Sequence, residues 1–179
     1  VAALYRALHR GPSGKDRNPI VYVSRGPWSI YEVLMAFLRA HDFPEGPVLL
    51  RDWGMTLHHP LPRRGVGHKE RVVREVLNAH GDLPFVLIGD SGQKDPEIYA
   101  DVVREYPGRV LAVFIRNVTR TGERDRAIQD LARQVSEAGS TLVLADDSMV
   151  MAEGAVEQGF IQNEALEEVR GEREKNKDP

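Results

Sequence analysis

Two aspartates, a lysine, a serine and an arginine in this chain have the types and spacing that phosphate chemistry needs. The densest group is Gly89-Asp90-Ser91-Gly92-Gln93-Lys94-Asp95-Pro96-Glu97, entered from the apolar run Phe85-Val86-Leu87-Ile88. A buried strand ending in Gly89-Asp90 delivers the Asp90 carboxylate to its C-terminal tip, and Asp95 follows just before a helix opens. Gly89 and Gly92 let the backbone turn sharply and come close to a ligand. Two carboxylates on one rigid turn suit a hard divalent cation such as Mg2+. That ion takes oxygen ligands and shares them between a few carboxylates, waters and a substrate phosphate. The chemistry expected is metal-assisted work on a phosphate-bearing ligand.

The other candidates carry a bland reading beside the functional one. Asp95-Pro96-Glu97 is also a good helix start, with Asp as N-cap and Pro in the first turn, and the two roles can coexist at Asp95. Ser24 closes the run Pro19-Ile20-Val21-Tyr22-Val23, where its hydroxyl can donate to a phosphate oxygen or simply close a turn. Arg25 adds a bidentate phosphate donor. Trp28 reads more readily as packing than as recognition. Lys69 opens a helix, where a cation opposes the helix dipole unless an anion lies in front of it. The alternative is an ordinary solvated lysine. His68 reads as packing or capping. His58 and His59 are adjacent, no His-x-x-x-His or Glu-x-x-His pattern occurs, and a zinc site is not expected. No Walker loop or Gly-x-Gly-x-x-Gly fingerprint is present.

The elements that must position these residues follow an α/β rhythm. Short, almost wholly apolar runs bounded by Pro or Gly predict strands over 20–24, 47–52, 84–90, 109–116 and 141–146. Helical spacing predicts helices over 29–41, 69–80, 96–106, 123–138 and 149–158, with a further helix-like run at Val1-Ala2-Ala3-Leu4-Tyr5-Arg6-Ala7-Leu8. The pattern implies a parallel sheet with helices on both faces. Ligands of such sheets bind beyond the carboxyl ends of the strands. The polar rim there is Ser24, Arg25, Asp52, Asp90, Arg116, Asp146 and Asp147. Residues 54–67 form a long loop carrying Leu57, His58, His59, Leu61, Arg63 and Arg64. Loops of that length are usually functional or disordered. After Ala165 the chain is almost entirely charged, and residues 163–179 are expected to fray after a short helical extension.

Bulk properties narrow the classes. The 179 residues suffice for one domain with a real core. Net charge is −3, which gives no basic field for nucleic acid. There is no cysteine, so disulfides, thiol catalysis and cysteine-bound zinc are excluded. No apolar run approaches the ~18 residues of a membrane span and no signal peptide is visible. A cytoplasmic location is the expectation. No partner protein is implied. The start at Val1 reads as a chain whose natural N-terminus lies upstream.

Taken in order, strand–Ser24, helix-start Lys69 and strand–Gly89-Asp90 with Asp95 resemble the haloacid dehalogenase superfamily of phosphohydrolases from its second motif onward. Tyr22-Val23-Ser24 with Pro27-Trp28, then His68-Lys69, then Gly89 to Tyr99, are similar to the catalytic domain of actin-patch-type phosphatidate phosphatases and their bacterial relatives. Ile115-Arg116-Asn117-Val118 and the stretch 152–161 look similar too. The resemblance covers residues 1–162, taken as the catalytic domain.

That resemblance implies a three-layer Rossmann-like fold and Mg2+-dependent phosphomonoester hydrolysis, with phosphatidate giving diacylglycerol. An Asp at the end of a first strand attacks phosphorus, and a second Asp two residues later acts as acid and base. Ser24 and Lys69 are the catalytic residues carried here. Ser24, Arg25 and Lys69 hold the phosphoryl group, and Asp90 and Asp95 bind the metal. Arg25-Gly26 stand where the family usually has serines. The nucleophile motif is absent: Asp101, Asp130, Asp146 and Asp147 have the wrong order, spacing or setting. The family's central first strand, between those ending at Ser24 and Asp90, is therefore missing, and the fragment alone is expected to be inactive. Contact with a membrane surface through Leu57 and Leu61, with Arg63 and Arg64 nearby, is a further expectation. Rival readings are a non-catalytic α/β module that binds a phosphate-bearing ligand, and a purely structural Asp90.

Overall fold

A computed structural model describes residues 1–51 and 67–175. The elements are α1 (Ala2–Arg10), β1 (Tyr22–Pro27), α2 (Tyr31–Ala40), β2 (Val48–Arg51), α3 (His68–Ala79), β3 (Phe85–Asp90), α4 (Asp95–Glu105), β4 (Val110–Arg116), α5 (Gly122–Glu137), β5 (Thr141–Ala145), α6 (Ser148–Glu157) and α7 (Ala165–Lys175). A single 3-10 turn, Trp28–Ile30, joins β1 to α2. The class is the expected one, α/β with parallel strands flanked by helices.

The strands form two parallel sheets, β1-β2 and β3-β4-β5. In β4, alternate residues point to opposite faces, and both faces are apolar because both are covered. Ala112 and Phe114 pack against Ala3, Leu4 and Ala7 of α1 and against α6 and α7. Val113 and Ile115 face Leu77 of α3, Val102 and Val103 of α4 and Ile128 of α5. This gives the three layers. Among the described residues the β1-β2 sheet has a much smaller core, with Leu38, Val48 and Leu50 buried.

Neither β1 nor β3 pairs with the other. Phe85 and Ser91 donate their N–H groups across to Arg109 O (2.7 Å) and Arg116 O (2.9 Å), so odd-numbered residues of β3 face β4. Even-numbered residues therefore present their backbone to the opposite edge. There the Tyr99 hydroxyl donates to Ile88 O at 3.0 Å, and Asp90 N–H donates to the Asp95 carboxylate at 3.2 Å. Side chains of α4 thus satisfy an edge that no strand covers among the described residues.

Two expectations need correction. Strand β1 does not end at Ser24 but runs to Pro27, and its register with β2 shifts between Val23 and Pro27. Ser24 sits in that irregularity, not at a clean tip. The charged tail does not fray directly: α7 is helical through Lys175. Val169 on it is buried in the core, and Arg10–Glu168 and Arg173–Asp147 ion pairs (2.7 and 2.8 Å) hold it to α1 and to the start of α6. Ala165 and Val169, with Leu166 partly buried beside them, anchor the helix, and its charged residues find opposite charges on a surface the sequence pattern did not reveal. The loop 54–66, Asp52 and the residues expected to touch a membrane lie outside the described residues.

Candidate active site

The site is assembled from four separate elements at the carboxyl ends of the strands. Lys69, in the first turn of α3, is 9% exposed, so the solvated reading does not hold. Its ammonium lies 2.6 Å from Asp95 Oδ2 and 5.6 Å over the Tyr99 ring. The anion in front of this cation is thus Asp95, 26 residues further along the chain.

Asp95 is 1% exposed and begins α4, but its carboxylate does not cap the helix. Oδ2 turns back to Asp90 N–H and Lys69 instead. Gly89 makes this approach possible: a Cβ there would sit 2.5 Å from Asp95 Oδ2. Asp90 is half-buried, and its Oδ1 accepts from Gly92 N–H at 2.9 Å. The loop between them is held from behind. Ser91 Oγ accepts from Val118 N–H (2.9 Å) and Thr119 N–H (3.0 Å), and Arg124 donates to Ser91 O (3.0 Å) and Gln93 O (2.7 Å).

Ser24 Oγ accepts from Gly26 N–H at 3.1 Å, the turn role expected of it, which leaves its hydroxyl proton to donate elsewhere. Arg25 is exposed and donates to Gln93 Oε1 at 2.9 Å, linking β1 to the loop after Asp90. Trp28 corrects the packing expectation: it is 61% exposed, with its ring stacked on Tyr31 at 4.8 Å. His68 does pack. Its Nε2 is buried without a partner among the described residues, and burial, followed by Arg71 and Arg51, holds its pKa below the usual value.

The remaining rim residues separate. Asp147 Oδ1 caps α6 by accepting from Met149 and Val150 N–H (2.9 and 3.1 Å). Burial would raise its pKa, but those bonds and Arg173 outweigh it, and the carboxyl lies below the ordinary range. Asp146 accepts from Asn117. Arg116 keeps a buried Nε with no partner.

Sequence reasoning missed two tyrosines. Tyr5 of α1 stacks on Tyr22 (6.3 Å) and feels the charge of Asp95. Burial first, then Tyr22 and Asp95, push its hydroxyl up to about 12. Tyr99 is likewise pushed well above its ordinary value, mainly by burial. Tyr99 shared a helix face with Asp95 at i+4, a legible signal. Tyr5 carried none, since its neighbours come from distant elements.

A divalent cation can be tested against Asp95. Among the described residues its Oδ1 is buried with no hydrogen-bond partner, which a native carboxylate rarely tolerates unless something else takes the lone pairs. An oxygen-seeking cation fits that oxygen. Among the described residues no group of three or more His, Asp or Glu gathers for a metal. Asp90 and Asp95 would therefore supply two carboxylates, with water and substrate oxygen completing the shell, as Mg2+ commonly accepts.

Comparison with known proteins places the chain in a family. A family model described as the phosphatidate phosphatase APP1 catalytic domain matches residues 1–117, almost two thirds of the chain, including Ser24, Lys69, Asp90 and Asp95. The phosphatidate phosphatase APP1 of Saccharomyces cerevisiae is 28% identical over 95 residues, 53% of this chain. An uncharacterized protein of Schizosaccharomyces pombe is 31% identical over 98 residues, 54% of this chain. The chain spans only 16% of the length of each of these relatives. No solved structure matches. The chain belongs to the phosphatidate phosphatase APP1 catalytic-domain family.

Proposed function

We propose that this chain is the phosphate- and metal-binding part of a Mg2+-dependent phosphomonoester hydrolase acting on phosphatidate. The observation that carries the reading is the buried Lys69–Asp95 pair beside Asp90, with one buried Asp95 oxygen that has no hydrogen-bond partner among the described residues. Asp90 and Asp95 would hold Mg2+, which when bound supplies charge neutralisation at the phosphoryl oxygens. Ser24 donates its hydroxyl proton to a phosphoryl oxygen, and Lys69 offers its further N–H groups to the same anion. Arg25 reaches the phosphate from the exposed side. Their work is positioning and electrostatic, which is what phosphoryl transfer most needs.

The attacking carboxylate is not among these groups. In this reading it comes from a parallel strand seated between β1 and β3, whose neighbouring edges no strand pairs among the described residues. The 179 residues alone then bind but do not turn over substrate.

The test uses the protein as its whole gene encodes it. Phosphatidate hydrolysis is expected to require Mg2+, and Asp90→Asn and Lys69→Met are each expected to lower kcat by 10²-fold or more, in the range for lost electrostatic groups. For the chain itself, titration calorimetry should show Mg2+ binding that Asp90→Asn abolishes. Metal-independent hydrolysis, or unchanged Mg2+ affinity in Asp90→Asn, overturns the reading.

A further inference from the structure

The turn that carries Asp90 and Asp95 is gripped by a segment that touches neither carboxylate. Ser91, the residue after Asp90, is 2% exposed. Its Oγ accepts two successive backbone N–H groups, Val118 at 2.9 Å and Thr119 at 3.0 Å, which converge on the one oxygen. Those bonds engage both lone pairs, so the Ser91 hydroxyl proton is itself donated, to Thr119 Oγ1 (2.8 Å) or Asn117 Oδ1 (3.3 Å). Gly92 lies so close behind that a Cβ there would sit 3.0 Å from Val118 Cγ2 and 3.2 Å from Asp90 Oδ1. Residues 117–120 therefore fix the height and angle of the turn.

Asn117 in turn shapes that segment. Arg120 has a φ of +48°, a left-handed conformation that a residue with a Cβ adopts only when its surroundings impose it. Asn117 Oδ1 accepts the Arg120 N–H at 3.1 Å and so closes the segment on itself. Its Nδ2 donates to Asp125 Oδ1 of α5 at 3.1 Å and to Asp146 Oδ1, just after β5, at 3.2 Å. At 5% exposure, both donors and the acceptor oxygen of this amide are engaged, and a buried polar group satisfied in this way specifies one arrangement of its neighbours. The residue type follows from the partners. Alanine makes none of these bonds, and aspartate would set a third carboxylate against Asp125 and Asp146. An oxygen-seeking cation such as Mg2+ demands near-ideal placement of its ligands, so a turn that drifts loses affinity even with both carboxylates present.

We propose that Asn117 is a positioning residue for the metal site: it holds residues 117–120 in the form that grips Ser91, and through Ser91 it sets the turn on which Asp90 and Asp95 meet a divalent cation. The proposal rests on the reading of those two aspartates as Mg2+ ligands.

The experiment is titration calorimetry of the 179-residue chain with Mg2+, at a temperature where circular dichroism shows each variant folded. Asn117→Ala should weaken Mg2+ binding about tenfold or more, the range for groups that hold metal ligands in place. Ser91→Ala should weaken it by a similar factor. The double variant should lose no more than the larger single loss, because both substitutions break one line of contact. Ser140→Ala removes another buried hydroxyl, at the opposite ends of the strands, and should leave the affinity unchanged. Were Asn117 only holding the fold together, Asn117→Ala would lower the urea midpoint while the folded chain kept its affinity, and that result overturns the role. Additive losses, or an equal loss in Ser140→Ala, overturn it too. If Asn117→Ala does not fold, Ser91→Ala decides alone, and unchanged affinity there overturns the role. A parent chain that binds no Mg2+ overturns the metal reading and this role with it, whereas binding by the parent that neither substitution weakens overturns this role alone.

Discussion

The two sheets of this protein are built to different standards. The β3-β4-β5 sheet is sealed on both faces, and β4 contributes four consecutive buried residues from Ala112 to Ile115. Among the described residues the β1-β2 sheet has three buried residues in its core and carries Trp28, Val33 and Phe37 in the open. Burying a large apolar side chain contributes roughly 1.5–3 kcal/mol, so most of the folding free energy belongs to the first half. The candidate site lies at the seam. Asp90 and Asp95 come from the strong half, and Ser24, Arg25 and Lys69 come from the weak half or its flank. The better-packed half holds the carboxylates proposed to bind a metal, while the half proposed to hold the phosphate has less to keep it in place. Among the described residues, side-chain contacts that cross the seam include Lys69–Asp95, Arg25–Gln93, Arg6 to Asp42 O, and the Tyr5 ring on Tyr22 and Phe43.

The largest test of that contrast is a pair of truncations. Phe114→Ala, at a fully buried position, should cost about 3–5 kcal/mol and lower the urea midpoint of the whole chain. Leu50→Ala should fall at the lower end of the aliphatic range, about 2 kcal/mol, because its surroundings can relax toward solvent. Native-state hydrogen exchange should show the β1-β2 amides opening well below the global free energy, and the β4 amides only with it. Equal protection in both sheets would erase the distinction.

How far the sequence disclosed this contrast follows from the physics of each part. The five strands were legible because buried parallel strands are short apolar runs between breakers, as in Val110–Arg116. The gap beside β3 was legible only through the family resemblance, since no single strand announces which neighbour it lacks. Lys69 and Asp95 were each singled out, but their contact joins elements 26 residues apart and has no local signature. Ser24 was misplaced at a strand end because a bulge leaves no mark on hydrophobic pattern. The length of the helical extension at 165–175 was not legible because charge composition says nothing of partners supplied by α1 and α6.

A second effect, of about 3 kcal/mol, is expected at the strongest seam contact. Lys69→Met leaves Asp95 buried without its counter-charge, and breaking a buried pair from one side costs roughly 3–5 kcal/mol. The modest exposure of Lys69 places it at the lower bound. Adding Asp95→Asn should recover much of the loss, because the stranded charge goes with it. A double variant no more stable than Lys69→Met, in urea titrations at pH 7, would show that the pair does not couple the halves.

Tyr5 gives a pH-dependent test of similar size. Its hydroxyl titrates near 12 in the folded chain against 10.0 ordinarily, with burial as the main cause. The folded state therefore holds this proton more tightly than the unfolded one. The associated stability is complete below pH 10 and is lost as pH rises toward 12, by about 2–3 kcal/mol at 1.36 per pK unit. Tyr5→Phe keeps the ring stack and removes the titration. Its denaturant midpoint should fall less steeply above pH 10 than that of the parent chain. Parallel curves would place the alkaline loss elsewhere, with Tyr99 the next candidate.

The smallest effect should come from Arg25. Its bond to Gln93 is exposed, and surface hydrogen bonds of this kind contribute less than about 0.5 kcal/mol to global stability. Arg25→Ala should therefore leave the urea midpoint unchanged within error. Yet this bond ties β1 to the loop that follows Asp90, so its loss should register locally, as faster exchange of the Val23–Gly26 amides while those of β4 stay put. If Arg25→Ala instead lowers the protection of both sheets equally, the seam transmits strain through its weakest contact, and the two halves behave as one cooperative unit despite their unequal cores.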